Sequence, residues 1–177
     1  MTCIVGLVHE GRVWMGADSA GVSGYQLQTR SDAKVFVHDN MVIGFTSSFR
    51  MGQLLHYAFT PPPRALGVDL HHYMVVDFID AVRECLRDGG YARKEDEQEQ
   101  GGNFLVGYAG QLFVIEHDYQ VGIMAAGYAA VGSGEQVALG TLYATRGRAP
   151  QKRILLALEA AAHFNAAVRG PFTVLST

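Results

Sequence analysis

The sequence is poor in cysteine, tryptophan and proline, and it has too few cysteines for a disulfide-rich protein. Its 177 residues include two cysteines, one tryptophan and five prolines. Cys3 and Cys85 lie far apart and show no metal-ligand spacing, and a disulfide between them is not expected in a reducing compartment. We therefore interpret both cysteines as small core residues, and we expect no metal and no organic cofactor.

Charge and hydropathy exclude further classes of protein. Charged residues make up 18% of the chain and the net charge is -3, without a basic stripe interleaved with aromatic residues. Binding to nucleic acid is therefore not expected. No apolar run is long enough to cross a bilayer, and the N-terminus lacks the basic segment and apolar stretch of a signal peptide. These absences predict a cytoplasmic protein with no membrane partner.

The chain does contain enough apolar material for one core. Hydrophobic residues make up 49% of it, and a chain of this length can bury a sizeable core as one unit. We find no internal repeat and no sign of a second unit. The sequence therefore predicts a single domain over residues 1–177.

Predicted strands and helices follow one another in an informative order. β-branched runs between turn residues predict strands at 3–8, 12–17, 35–38, 41–46, 103–108, 111–116, 119–124 and 172–175. Apolar spacing predicts helices at 51–59, 69–87, 135–144 and 151–167. The charged segment 91–100 is predicted to be an exposed loop or a fraying extension. Two sheets, each covered by a helix pair, follow from this order, which predicts an α+β fold in the form of a four-layer αββα sandwich.

The first residues of the chain suggest a nucleophile. Removal of Met1, which a small second residue favours, would leave Thr2 with both a hydroxyl and a free α-amine. Such pairs activate a hydroxyl without histidine. Because an α-amine has a pKa of roughly 7.7–8.0, part of it is already a neutral base near pH 7. The alternative is that Thr2 is an ordinary residue behind a retained Met1.

Several short blocks elsewhere in the chain resemble a known family. They are Thr2-Cys3-Ile4-Val5-Gly6, Gly16-Ala17-Asp18, Lys34, Gly44-Phe45 and Gly132-Ser133-Gly134. In this order and spacing they resemble the N-terminal-threonine peptidases of the proteasome class, and among them the bacterial peptidase that works with a separate ATPase ring. That family belongs to the N-terminal nucleophile hydrolases, whose fold is the αββα sandwich. The resemblance spans nearly the whole chain.

The resemblance implies a role for each polar residue in these blocks. Thr2 would attack a peptide carbonyl, and its own amine would act as general base, directly or through a water. Lys34 would favour the neutral amine and stabilise charge on the Thr2 oxygen. Asp18 would hold Lys34 in place, and Ser133 would hydrogen-bond near the amine. Each also has an ordinary interpretation: Lys34 as a solvated edge lysine, Asp18 as a turn residue and Ser133 as a helix N-cap.

Some positions carry less specific expectations or depart from the family pattern. Gly132 and Gly134 are weaker site candidates that flank the serine. The oxyanion hole is assigned to the backbone N–H of Ser48, where the family often has glycine. His163 occupies the place of the family's acidic residue in the last helix, and Asn165 lies nearby in the sequence.

The resemblance further implies partners. We expect polypeptide substrates, a homo-oligomer in the form of a ring or a related assembly, and an ATPase that supplies unfolded chains. Two alternatives stay open. An N-terminal nucleophile amidase acting on a small-molecule amide would share the fold and the nucleophile, and a non-catalytic structural subunit would retain Met1.

Overall fold

A computed structural model describes residues 2–95 and 98–177 of the chain. Met1, whose removal is predicted above, lies outside the described residues, as do residues 96–97 of the segment expected to form a loop. Among the helices that are described, none has the length and apolar character needed to span a membrane.

Within the described residues, two main antiparallel sheets and two separate hairpins contain the strands. In chain order these are β1 (Ile4–His9), β2 (Arg12–Ala17), β3 (Ala20–Ser23), β4 (Gln26–Thr29), β5 (Val35–His38), β6 (Met41–Phe45), β7 (Arg93–Glu95), β8 (Gln98–Gln100), β9 (Phe104–Tyr108), β10 (Gln111–Ile115), β11 (Val121–Ile123), β12 (Tyr128–Val131) and β13 (Thr173–Ser176). The first sheet has the order β12-β1-β2-β13, and the second has the order β11-β10-β9-β6-β5. The hairpins are β3–β4 and β7–β8.

The helices fall into two groups along the chain. They are α1 (Phe49–Tyr57), α2 (Leu70–Tyr73), a π-helical turn (Met74–Phe78), α3 (Ile79–Asp88), α4 (Glu135–Ala144) and α5 (Pro150–Phe164). From α2 to α3 the helical backbone is continuous. The Asp69 side chain caps its start by accepting from the His72 N–H, and Gly90, with φ +69°, follows its end.

Three hydrophobic clusters show how the sheets and helices pack. The cluster between the two sheets contains residues such as Ile4 and Leu105. On its other face the first sheet packs against α4 and α5, where one cluster contains both Val5 and Leu158. On its other face the second sheet packs against α1, the π-helical turn and α3. Because alternate residues of β1 belong to different clusters, this strand is buried on both faces.

The predicted strands and helices are present, with ends that differ by a few residues. Residues 91–100 differ in kind, and β3, β4 and β12 lie outside the predicted strands. The expectation of a loop at 91–100 is wrong, because β7 and β8 pair with Lys94 opposite Glu99 in the register. The sequence pattern also misses the β3–β4 hairpin. All four residues of Gln26–Thr29 are exposed, so that strand shows no apolar alternation.

Glycine allows the two sheets to approach each other at Gly44. A Cβ at this position would lie 2.6 Å from both Ile4 Cγ2 and Met15 Sδ. In contrast, a Cβ at Gly140, an exposed residue of α4, would meet no neighbouring atom within 4 Å. We expect Gly44→Ala to lower the free energy of unfolding by about 1–3 kcal/mol through overpacking.

Gly140→Ala is the matched control for that substitution. It should raise the free energy of unfolding by about 0.5–1 kcal/mol, because alanine loses less backbone entropy than glycine in a helix. Urea unfolding monitored by circular dichroism measures both changes. Equal effects of the two substitutions would contradict the close sheet contact at Gly44.

Candidate active site

Strand register places Thr2 at the meeting point of three chain segments. β1 pairs with β2 on one side and β12 on the other, with Ile4 opposite both Ala17 and Val131. The residues that follow these two partner strands, Asp18 and Gly132, therefore lie beside Thr2. Thr2 is buried, so its polar hydroxyl needs a hydrogen-bond partner within the protein.

A buried lysine contacts the Thr2 hydroxyl. Lys34 Nζ donates a hydrogen bond to Thr2 Oγ1 at 3.1 Å. The same nitrogen forms a salt bridge of 2.8 Å with Asp18 Oδ1. The side chains of Lys34 and Asp18 are 1% and 0% exposed, so this is a fully desolvated ion pair. Such a pair persists only when its remaining polar groups are also satisfied.

Backbone N–H groups satisfy the Asp18 carboxylate. Its Oδ1 accepts from the Cys3 N–H at 3.0 Å, while Oδ2 accepts from the N–H groups of Ala20 at 2.9 Å and Arg169 at 3.3 Å. These donors come from the start of β1, the start of β3 and the segment before β13. The position of Asp18, and with it that of Lys34, is thus fixed by three separate parts of the chain.

Burial changes the proton affinity of two groups at the site. Desolvation lowers the pKa of Lys34 below its ordinary value of 10.5, and the attraction of Asp18 opposes this only in part. For Cys3, burial and then the charge of Asp18 raise the pKa of the thiol to about 12. Cys3 is therefore a core residue packed towards α4 and α5, as expected, and is not a thiolate nucleophile.

The turn between β12 and α4 holds the backbone of Thr2. Ser133 Oγ accepts from the Thr2 nitrogen at 3.2 Å and donates to the Thr2 carbonyl at 3.3 Å. The Gly134 N–H donates to the same carbonyl at 3.3 Å. Gly132 has φ +103°, and a Cβ there would lie 2.3 Å from the backbone carbonyl oxygen of Thr2. Both the conformation and the contact therefore require glycine at 132.

The structure does not bring His163 to the site. This residue is exposed in the last turn of α5, where its ring contacts Phe164 edge-on at a centroid distance of 4.7 Å. Asn165, which follows the helix in an extended conformation, reaches the site instead. Its Nδ2 donates to the Ser133 carbonyl at 2.7 Å, and its Oδ1 accepts from the Ala167 N–H at 2.9 Å.

The turn after β6 corrects the assignment of the oxyanion donor. The Ser48 N–H donates to the Thr46 carbonyl at 2.8 Å, and the Ser48 side chain caps α1. Ser47 adopts φ +70°, and its own N–H has no acceptor within residues 2–95 and 98–177. A Cβ on Gly132 would contact both Thr46 Oγ1 and the backbone carbonyl oxygen of Thr2. The turn after β6, which contains Thr46, therefore lies close to Thr2. The Ser47 N–H is therefore a better candidate for the oxyanion donor than the Ser48 N–H.

The arrangement combines the Thr2 hydroxyl, the Lys34 ammonium and the Asp18 carboxylate with an open backbone donor, the Ser47 N–H. These groups suit acyl transfer, in which a hydroxyl attacks a carbonyl and an oxyanion must be stabilised. Over the part of the chain that the structure describes, no group of three or more His, Cys, Asp and Glu side chains is arranged to hold a metal ion.

The fold is that of HslV, proteasome-like and Anbu proteins, because solved structures of these proteins match almost the whole chain. The predicted resemblance to the proteasome-type peptidases is thereby confirmed at the level of the fold. In contrast, no protein-family model matches the chain and no curated protein matches it in sequence.

Three of these solved structures illustrate the similarity. BPH from Thiobacillus denitrificans has a TM-score of 0.79 and 20% identity, over 99% of this chain and 97% of its own. Eukaryotic HslV from Trypanosoma brucei has a TM-score of 0.70 and 17% identity, over 99% and 98%. Anbu from Yersinia bercovieri has a TM-score of 0.68 and 16% identity, over 99% and 81%.

The burial of Asp18 leads to a stability prediction. Asp18→Asn would leave the Lys34 ammonium buried without its counter-ion and would turn an amide group towards backbone N–H donors. We expect the free energy of unfolding to fall by about 3–5 kcal/mol. Thermal or urea unfolding of the purified variant measures this loss.

Asp32→Asn is the matched control, because Asp32 pairs with Arg30 at 2.6 Å at the surface. The same substitution there should cost at most about 1 kcal/mol. A loss at Asp18 as small as that at Asp32 would show that the buried ion pair does not stabilise the fold.

Proposed function

We propose that the protein is a threonine-type endopeptidase that uses Thr2 as nucleophile after removal of Met1. The observation that carries this proposal is the hydrogen bond of 3.1 Å from Lys34 Nζ to Thr2 Oγ1. In this proposal residues 1–177 form one four-layer αββα sandwich, in which the two sheets are enclosed by the helix groups.

Attack begins with transfer of the Thr2 hydroxyl proton. Once Met1 is removed, the neutral α-amine of Thr2 accepts this proton, directly or through a water, and Oγ1 attacks the carbonyl carbon of the substrate. The Lys34 ammonium stabilises the negative charge that develops on Oγ1. Ser133, within 3.2 Å of the Thr2 nitrogen, orients the amine.

The intermediate then collapses to an ester. Attack converts the carbonyl oxygen of the substrate into an oxyanion. We propose that the Ser47 N–H stabilises this oxyanion by donating a hydrogen bond to it. The carbon–nitrogen bond of the substrate breaks, the Thr2 ammonium protonates the leaving amine, and the acyl group stays on Oγ1. Water then attacks this ester, with the neutral amine again as base, and releases the new carboxylate.

A free strand edge beside the site supports a polypeptide substrate. The Arg30 N–H donates to the Ser19 carbonyl at 2.9 Å, so alternation makes Gly21 and Gln28 the next hydrogen-bonded pair. The N–H and C=O of Val22 therefore point away from β4. Within the described residues β3 has no partner on that side. An extended peptide can add to such an edge, whereas a small amide would leave it unused.

Assembly and partners complete the proposal. The similarity to HslV and other proteasome-like proteins supports an oligomer, and we propose a homo-oligomeric ring or related assembly whose sites face an inner chamber. An ATPase that supplies unfolded chains would serve such a chamber. A non-catalytic structural subunit is the alternative that the state of the N-terminus decides.

The nucleophile is tested by the mass of the N-terminus together with activity. We expect intact mass spectrometry to show a chain that begins at Thr2 and hydrolyses peptide reporters. Thr2→Ala should reduce kcat/KM by at least about 10³-fold, since it removes the attacking oxygen. Thr2→Ser, which keeps a hydroxyl and an amine, is the control and should retain activity.

Epoxomicin provides a second test of the same residue, since BPH from Thiobacillus denitrificans has been solved in complex with it. Peptide mapping of the treated protein should locate an adduct on residue 2, and Thr2→Ala should show none. A trimmed chain that neither reacts nor hydrolyses peptides would support the structural subunit instead.

The free edge of β3 is tested by Val22→Pro. Proline removes the outward N–H without breaking a bond to β4. Loss of one substrate hydrogen bond should lower kcat/KM for long peptides by about tenfold, but leave turnover of a single-residue amide unchanged. Val22→Thr is the control. Unchanged turnover of long peptides would favour the small-molecule amidase.

A further inference from the structure

A polar cavity adjoins the Thr2 site along β3. It has a volume of about 270 Å³ and lies between the β3–β4 hairpin and Phe49. The Phe49 ring centroid is 5.7 Å from Lys34 Nζ, so the cavity is within one side chain of the proposed nucleophile. We refer to this cavity as the polar trough.

Register explains why one wall of the polar trough is polar. Gly21 lies opposite Gln28, and Ser23 lies opposite Gln26, so the side chains of Ser23, Gln26 and Gln28 share one face of the hairpin with Gly21. All four residues line the trough. The serine hydroxyl and both amide groups can donate hydrogen bonds to an oxygen atom that enters it.

Arg30 supplies the cation of the polar trough. Its guanidinium carbon lies 3.9 Å from the centroid of the Phe49 ring, and its stem lies over Gly21. Nε and Nη2 donate to the Asp32 carboxylate at 2.7 and 2.6 Å. Nη1 has no acceptor among the described residues. Because Asp32 is outside the trough lining, Arg30 is the charged residue that an entering side chain would meet.

We propose that the polar trough selects an acidic substrate side chain next to the scissile bond; this rests on the proposed peptidase function. A peptide added to the open edge of β3 places alternate side chains on the face shared by Gly21 and Gln28. A carboxylate there would accept from Arg30 Nη1 and from the amide of Gln28. A lysine or arginine side chain could donate to the amide and hydroxyl oxygens of the trough, but it would bring its positive charge next to that of Arg30.

Binding without turnover tests this selection. The protein is the full chain carrying Thr2→Ala. The probe is a peptide of uncharged residues with an electrically neutral fluorophore, in which each residue in turn is replaced by Glu, Gln or Lys. We expect one position at which Glu binds at least about tenfold more tightly than Lys in fluorescence anisotropy, with Gln between them. Equal affinities at every position, or a preference for Lys, would overturn the proposal.

Charge variants at Gln28 connect the preference to the polar trough. Gln28→Glu should abolish the preference for the acidic peptide, and Gln28→Lys should increase it. Gln151 is exposed on α5 and serves as the control site, where the same two substitutions should change nothing. A preference that Gln28→Glu leaves intact would contradict the assignment.

Hydrolysis by the unsubstituted chain separates this inference from the proposed function. Cleavage of the Glu and Lys peptides at equal rates would leave the peptidase proposal standing and reject the selection. Selective binding of the Glu peptide without any cleavage would support the trough and reject the peptidase.

Discussion

The buried ion pair of Asp18 and Lys34 is the constraint on which the site depends. Two charges removed from water are costly, and they are tolerated only if each is fully coordinated. Asp18 meets this condition through backbone N–H groups of Cys3, Ala20 and Arg169. The carboxylate therefore fixes the start of β1, the start of β3 and the segment before β13 relative to one another, and it orients Lys34 towards Thr2.

Antiparallel pairing explains how residues so distant in sequence meet at this pair. β1 lies between β2 and β12, and the segments that follow both partner strands converge on the start of β1. Asp18 and Ser133 occupy these two strand ends. Gly132 completes the arrangement, because a side chain at this position would prevent the turn from approaching the Thr2 carbonyl. Thr2 is thus held by contacts to its backbone at the end of the first sheet.

The sequence predicts those parts of the fold and site that follow strands with clear apolar patterns. The position of Asp18 directly after β2 is an example. Prediction fails where position depends on a single backbone angle, as at Ser47, whose positive φ decides which N–H is open. It also fails at Asn165, since a residue beyond a helix end reaches the site only through the way that helix packs. The exposed β3–β4 hairpin, which carries Arg30, has no apolar pattern to detect.

The neutral residues around Thr2 affect its amine, the base in our proposal, as directly as the charged residues do. The Thr2 nitrogen donates to the uncharged hydroxyl of Ser133, and the side-chain amide of Asn165 donates to the backbone carbonyl of the same serine. An acidic side chain in place of Asn165 would favour the protonated amine, because opposite charges stabilise each other. The charge of Asp18 is already paired with Lys34. In the mechanism that we propose, neither Ser133 nor Asn165 therefore adds a negative charge that would hold the Thr2 amine in its protonated form.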